Sequence, residues 1–506
     1  MNFAPKDDYY WNIEPNDHLI LTMDHQTRLD KYPAKAHARR VANELVNMPD
    51  VSATLLILQA APTSNYPDSD MPAPFRQDRY FYYMTGCSEP DCYCTYDIKT
   101  DTLTLWLPQI KYDRLIWTGR GSTIEEAMSA YDIDEAKYYI PSTASTDTNP
   151  TSSPVLTQNH FPLDIHHLTP STSTLTPLKI AINTTRTYKD THEIFLIRHA
   201  NHITARAHLS VMQSLSHITS EAQVEATYTA TCISHAARTQ AYMPIAGSGA
   251  NASVLHYTAN SAPFGDAEAL VLDAGCEWLG YASDVTRSLP INGSEPGVWG
   301  SEESKGVYAA VERMQEVCLA ALGPGVRFWE LYSRAMEVGV EALVGWGILR
   351  GDVGKLVEEG WGRLFFMHGL GHHLGLEVHD VSAGPLVVPP GRKRGVWSHF
   401  NGDEVNGFAE PCTPRAGVLE PDMVVTVEPG LYFNRQFIEM ALEKRGAEAE
   451  RVMNREVLER YYRVGGVRIE DDVLITKDGY RNLTLEAGAV KGKEMLKVIR
   501  EGARKE

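Results

Sequence analysis

The chain has 506 residues, 43% hydrophobic and 22% charged, with 47 Lys and Arg against 65 Asp and Glu for a formal net charge of −18. This composition excludes disorder as the dominant state, and at roughly 100–200 residues per domain the length predicts two or three domains, each able to bury a core. The acidic surplus repels phosphate and anionic lipid, no long Lys/Arg block reverses it locally, and no apolar run reaches the roughly 18 residues of a membrane helix, so neither nucleic acid nor membrane is an expected partner.

The chain opens on a polar, acidic segment (MNFAPKDDYYWNIEPND) where a secretory signal would place a basic flank and an apolar stretch. Its seven cysteines (87, 92, 94, 232, 276, 318, 412) are odd in number and scattered, which fits reduced thiols better than a disulfide framework. A soluble, cytoplasmic protein is the expectation. Between about 50 and 140, short apolar runs alternate with turn residues: Thr54–Leu58, Arg79–Thr85 and Thr102–Leu107 read as strands packed with helices. Two Ser/Thr/Pro-rich stretches, Pro141–Pro154 and Thr169–Pro177, read as surface loops near a domain boundary. From Thr191, apolar residues Ile194, Ile197, Ala200, Ile203, Ala207 and Val211 recur at three- and four-residue steps, predicting an amphipathic helix of about five or six turns. A smaller N-terminal α/β domain over 1–185 and a second domain over 186–506 are therefore expected. The second mixes helical stretches (Val307–Ala321, Trp329–Val344) with extended ones (Ala269–Ala274, Val424–Glu428, Gly466–Ile475), an α+β pattern. Lys491–Glu506 reads as a charged terminal helix with a solvated face.

Certain carboxylates sit where surface charge does not belong. Asp273 closes the apolar run Leu270–Leu272, and Asp284 follows eleven residues later in YASDVT, with Leu279-Gly280 between them able to turn the chain and pair two strands. Glu428 ends Met423–Val427 just before Pro429-Gly430, and Glu470 lies in VRIEDDV, where period-two alternation puts Arg468, Glu470 and Asp472 on one face and Val467 and Ile469 on the other. A buried carboxylate must shift its pKa, pair with a cation or bind a metal. Singly, capping, turns and ion pairs are the commoner fates of such a residue; four together with a histidine point to metal. Four of the 18 histidines fall within the fourteen residues 367–380, MHGLGHHLGLEVHD, whose glycines at 369, 371 and 375 argue for a loop beside a strand. An oxygen-rich set with one imidazole suits two divalent ions sharing bridging carboxylates, manganese or cobalt foremost, with zinc or iron(II) as further fits. Such a pair acidifies water and clamps an attacked carbonyl, so hydrolysis is the implied chemistry.

The stretches LHYT (255–258), LVLDAGCEWLGYASDVTRSLPING (270–293), HGLGHHLGLEVHD (368–380), TVEPGLYF (426–433) and GGVRIEDDVLI (465–475) resemble the pita-bread-fold dinuclear metallopeptidases, in the Xaa-Pro aminopeptidase and prolidase branch of eukaryotic, fungal type. Phe75–Tyr80 and Gly86–Pro90 resemble the N-terminal domain of that branch, which methionine aminopeptidases lack; creatinases keep the two-domain layout without the metal ligands. The resemblance implies a C-terminal pita-bread domain and two divalent ions per subunit, manganese first. Asp273 would chelate one ion, Asp284 and Glu470 bridge both, and His372 and Glu428 complete the other, with Glu428 also handling the proton of the attacking water. His256, His368 and His379 match histidines that orient the scissile amide and stabilise the tetrahedral intermediate, and Arg468 an arginine behind the bridging carboxylate. Relatives often dimerise or tetramerise, so a homo-oligomer is among the implied assemblies.

Peptides with proline in second position are the implied substrates, and two readings stay open. Prolidases hold the proline carboxylate with an arginine two residues before a leucine; here Gly417 occupies that place before Leu419, and Arg415 lies two residues earlier, which favours an aminopeptidase over a dipeptidase. Phe75-Arg76-Gln77 and the insertion 434–464, including Asn454–Leu458, look prolidase-like, and Pro389–Gly417 is a further insertion. A third reading, a binding protein on a retired peptidase fold, would show substituted ligands, whereas all five are present.

Overall fold

The apolar runs of the first segment divide between a sheet and a helix. In a computed structural model that describes residues 31–49, 55–110, 115–139, 177–381, 386, 397–398, 404–405 and 417–504, strands Leu55–Gln59, Tyr93–Asp97, Thr102–Pro108 and Glu135–Tyr139 form one four-stranded sheet in that order. Its first three strands pair antiparallel and the last joins parallel. Residues 141–154, 169–176, Arg415 and Cys412 lie outside the described residues.

Of the runs read together as strands packed with helices, Arg79–Thr85 is the helix. Its aromatic composition is β-like, but the Asp78 side chain accepts from the Phe81 N–H at 2.8 Å and Gly86 ends the helix at φ 65°, so the caps decide. Phe81, Tyr83 and Met84 are all fully buried, so the helix is sunk in the smaller core. That core continues through Leu196 and Ile197 of the helix Thr191–Ser214 to Tyr281, Leu374 and Leu376 of the second region. The Thr191–Ser214 helix spans 24 residues and starts with a reciprocal capping box between Asp190 and Glu193. Across it, His37 Nε2 lies 2.8 Å from Asp190 Oδ2 while its Nδ1 donates to the Tyr83 carbonyl at 2.9 Å, tying the N-terminal helix Ala34–Val46 to the long helix.

In the second region the fully buried strand Ala269–Asp273 is the middle of a three-stranded antiparallel sheet, flanked by Ile245–Ser248 and Thr286–Pro290. The chain between Asp273 and Asp284 is the expected hairpin, turning at Leu279 (φ 46°) and Gly280 (φ 84°). Helices Glu302–Ala321 and Phe328–Gly345 pack on each other, burying Met314, Cys318, Leu331 and Val340 in the larger core with Leu270, Leu272, Val425 and Val467.

Two expectations change here. The Gly466–Ile475 run is two strands: Gly466–Arg468 pairs with Gly430–Tyr432, and Asp471–Thr476 pairs with Val424–Val427. The facing chain is interrupted by Pro429, which has no N–H to give the ladder, and the break around Ile469-Glu470 mirrors it. Ile469 and Glu470 are both buried, so the alternation does not separate a core face from a solvent face. The terminal helix, Gly492–Gly502, is amphipathic: Met495 and Ile499, one turn apart, are buried and the helix packs on Thr191–Ser214.

Candidate active site

Three strand ends and one loop bring the singled-out residues together. Asp273 ends its strand opposite Thr286, and Asp284 leaves the hairpin beside it. A single hydroxyl measures how close the two carboxylates are: Tyr242 Oη lies 2.6 Å from Asp273 Oδ1 and 2.5 Å from Asp284 Oδ1. Glu470 enters from the strand break, accepting at Oε2 from the Thr286 hydroxyl at 2.6 Å. Arg468 ion-pairs with Asp273, donates to Thr286 Oγ1 at 3.0 Å and Tyr432 Oη at 2.8 Å, and has its Nε 4.0 Å from Glu470 Oε2.

The glycine-rich segment supplies the imidazoles. Residues 367–381 carry no helix and meet the sheet through a bridge between His373 and Val425, in line with the loop expectation. A side chain at Gly371 would collide with the Thr426 carbonyl, so glycine lets the loop lie flat on the strand. The His372 N–H donates to Thr426 Oγ1 at 3.1 Å, and Thr426 donates to Glu428 Oε1 at 3.2 Å. His372 Nδ1 donates to the His373 carbonyl at 3.0 Å, which leaves Nε2 unprotonated in the neutral ring and aimed at the acids, 3.3 Å from Asp284 Oδ2 and 3.4 Å from Glu428 Oε1.

The other histidines surround this group. His379 stands edge-on to His372 with ring centroids 4.2 Å apart. His368 lies 3.7 Å from Glu428, its Nδ1 donating to the Gly369 carbonyl at 2.7 Å and its Nε2 accepting from Tyr432 Oη at 2.8 Å. Exposed His256 is within electrostatic reach of both. All of Asp273, Asp284, His256, His368, His372, His379, Glu428, Arg468 and Glu470 therefore belong to one constellation.

The electrostatics call for cations. Four buried or half-buried carboxylates face one guanidinium and one imidazole. Burial raises Glu428 to about 7, with repulsion from Asp284 and Asp273 adding to it and His372 and Arg468 opposing. Burial, with repulsion from Asp284, Glu428 and Asp273 outweighing Arg468, pushes Glu470 well above the usual carboxylate range, and its Oε1 is buried with no hydrogen-bond partner. Burial works against protonation of His372, but the hydrogen bond to Asp284 and the charge of Glu428 win and raise it to about 9. Burial lowers His368 to about 3 and His379 to about 4, so both are neutral at pH 7. One donor atom each from Asp284, His372 and Glu470 lies within 4.8 Å of the others, a reach that one divalent ion spans. The orphaned Glu470 oxygen, the excess negative charge and the oxygen-rich donor set all fit bound divalent metal.

Sequence reasoning missed Tyr242 altogether and gave no role to Thr286 and Thr426, which lie within the stretches singled out. Tyr432 lies within a stretch that was noted, without a role. No motif marks Tyr242, whose partners are thirty or more residues away in sequence.

The model of metallopeptidase family M24 matches residues 196–477, which carry every residue of this constellation. The chain belongs to family M24. The N-terminal domain of aminopeptidase P matches residues 37–146. A probable Xaa-Pro aminopeptidase of Pyrenophora tritici-repentis is 44% identical over 97% of this chain and 74% of its own length. One of Aspergillus clavatus is 43% identical over 96% of each. The fold is that of Escherichia coli aminopeptidase P: a low-pH form matches with TM-score 0.70 and 27% identity over 94% of this chain and all of the other. A zinc-substituted form in complex with product matches with TM-score 0.68 and 26% identity over the same shares. The pita-bread domain behind a smaller N-terminal domain is thus the architecture of this chain.

Proposed function

We propose that this protein is an Xaa-Pro aminopeptidase, a metal-dependent exopeptidase that releases the N-terminal residue from peptides with proline in second position. The observation that carries this reading is the donor set of Asp273, Asp284, His372, Glu428 and Glu470 in one acidic pocket, three of them within reach of a single ion, in a chain 40–44% identical to several probable Xaa-Pro aminopeptidases over most of its length. Asp273, Asp284, His372, Glu428 and Glu470 would hold two divalent ions, manganese first among those the donors suit. When bound, the ions acidify a water molecule for attack and polarise the scissile carbonyl.

The chain's own residues do the rest. Glu428, fixed through Thr426, accepts the proton of the attacking water and returns it to the departing proline nitrogen. His379, neutral at pH 7, and exposed His256 stand on the open side of the pocket, where each donates to substrate. His368 has both ring nitrogens engaged and acts by orienting Tyr432 and, through it, Arg468. Arg468 holds Asp273 in place and keeps part of the negative charge balanced. Proline suits such a site because an X-Pro amide has no N–H to satisfy and a fixed φ.

Gly417 favours the aminopeptidase over the dipeptidase. It sits at φ 75°, with its carbonyl accepting from the Phe328 N–H at 2.8 Å, a conformation strained for an arginine, so the carboxylate-binding residue of a prolidase has no place there. A cytoplasmic location is part of the same reading, supported by the six described cysteines, all unpaired and buried. The test is turnover of Ala-Pro-Ala against Ala-Pro at saturating manganese. Preference for the tripeptide is expected; preference for the dipeptide would make the protein a prolidase.

A further inference from the structure

The loop from His372 to His379 has neither helix nor strand to fix it, yet it must place two ring systems to within an ångström. Its start is held by Thr426 and the bridge to Val425, and its further supports come from outside the pocket. Glu377, midway along it, is 2.6 Å from the Arg76 guanidinium and 3.5 Å from Arg79 Nε. Arg79 also ion-pairs with Glu277, on the hairpin between Asp273 and Asp284, and Arg76 lies 3.5 Å from that carboxylate. Side chains of Arg79 and Glu277 are 7% and 10% exposed, so this pair is shielded from solvent, unlike Arg76 at 47%. One turn further along the same helix, Tyr82 donates to the Leu279 carbonyl at the hairpin turn, 2.9 Å away. Hairpin and loop are also joined directly, the Ala282 N–H donating to the Gly375 carbonyl at 2.8 Å. Beyond His379 the chain is pinned again: Asp380 pairs with Arg186 at 2.6 Å and Lys189 at 3.2 Å, all three side chains 1% exposed.

The N-terminal region therefore grips two of the chain segments that carry metal-binding candidates, the hairpin of Asp273 and Asp284 and the loop of His372, and it does so largely through charge. A buried ion pair contributes little net stability, since desolvation offsets most of the attraction. Its use is directional: Arg79 donates to Glu277 and holds Glu377 by charge at 3.5 Å, while Arg76 supplies the hydrogen bond to Glu377, so carboxylates from two separate segments meet one buried guanidinium.

We propose that Arg79 is a positioning residue of the hydrolytic reaction: by clasping Glu277 and Glu377 together it sets His379 against His372, making the N-terminal domain a working part of the active site. This rests on the peptidase reading above. Full-length, manganese-loaded Arg79→Met, Arg79→Lys, Glu377→Gln and the Arg79→Met/Glu377→Gln double variant are compared with wild type for kcat and KM on Ala-Pro-Ala, for bound manganese, and for amide hydrogen exchange over 374–381 and 269–273. The expected result for Arg79→Met is a fall in kcat/KM of about tenfold or more, with full metal content and exchange accelerated only over 374–381. Lysine should recover part of the loss, and the double variant should lose less than the two single losses combined, because the pair acts through one contact while Arg76 holds Glu377 separately. An Arg79→Met enzyme within twofold of wild type, a loss matched by lost manganese, or losses that simply add would overturn the proposal. If Arg79→Met does not fold, Glu377→Gln decides: unchanged kcat/KM and unchanged exchange over 374–381 refute the clasp. An inactive wild type would count against the peptidase reading, and the exchange data would still judge the clasp.

Discussion

Replacing Arg468 with methionine tests the charge balance of the pocket. Methionine keeps much of the length of the side chain but removes the cation and the donors to Asp273, Thr286 Oγ1 and Tyr432 Oη. Arg468 is 4% exposed and Asp273 8%, so water does not replace the lost partner. Removing one member of a buried pair costs about 3–5 kcal/mol because the other charge stays behind, and here Asp273 would be left among Asp284, Glu428 and Glu470. With divalent ions bound, the charge is compensated, and the residual cost should fall to that of lost hydrogen bonds to a charged group, about 1.5–3 kcal/mol. The assay is urea denaturation followed by tryptophan fluorescence, wild type and variant, each with chelator and with saturating manganese. The variant should therefore gain more stability from manganese than wild type does, by about 1–2 kcal/mol, the difference between those two costs. A penalty equal in both conditions, or below about 1 kcal/mol without metal, would refute the reasoning.

Other consequences are as direct. In the metal-stripped protein, Glu428 is raised to about 7 from an ordinary 4.5, so folding takes up a proton there; its contribution is complete below about pH 4.5 and is lost as pH rises through 7, about 3 kcal/mol in all. Manganese should flatten that slope, and urea midpoints at pH 5 and pH 8 with and without metal check it. The opposite sign holds for Asp190, which His37 keeps down at about 2 despite burial: its contribution is present above about pH 4 and lost as pH falls toward 2. Asp190→Asn should thus destabilise at pH 6 and much less at pH 2.5, as measured by acid unfolding curves. Tyr242→Phe should weaken manganese binding about tenfold while leaving the fold intact, because it deletes the hydroxyl shared by Asp273 and Asp284; titration calorimetry reads this out. Glu428→Gln should abolish turnover on Ala-Pro-Ala, a steady-state assay sensitive to a ten-thousandfold loss being enough to see it.

The parts of the site legible in the sequence were those in which local pattern and chemistry conflict. Asp273 and Glu428 close runs that otherwise read as buried strands, and a carboxylate there demands an explanation from outside the strand. Gly280 announced the hairpin because glycine takes the left-handed turn (φ 84°) without cost. Groups whose role depends only on distant partners stayed hidden. Tyr242 and Thr286 carry no local signal, and the Arg79 pairing with Glu277 joins residues from separate domains. Which of the runs between 50 and 140 is a helix was not legible, because the aromatic composition of Arg79–Thr85 also suits a strand and a short buried helix shows no amphipathic period to betray it. The Gly466–Ile475 strand was read as continuous because the proline that interrupts it lies on the facing chain. In the terminal helix, two buried residues among many charges were too few to outweigh composition.

The central claim is that this acidic pocket, loaded with divalent metal, cleaves the Xaa-Pro bond. The most direct measurement is alanine release from Ala-Pro-Ala by the purified protein after exhaustive chelation and again after manganese is restored. The account predicts no release from the chelated protein and recovery on adding about two equivalents of manganese per chain. Release that persists through chelation, or a manganese-loaded protein that leaves the peptide whole, would contradict it.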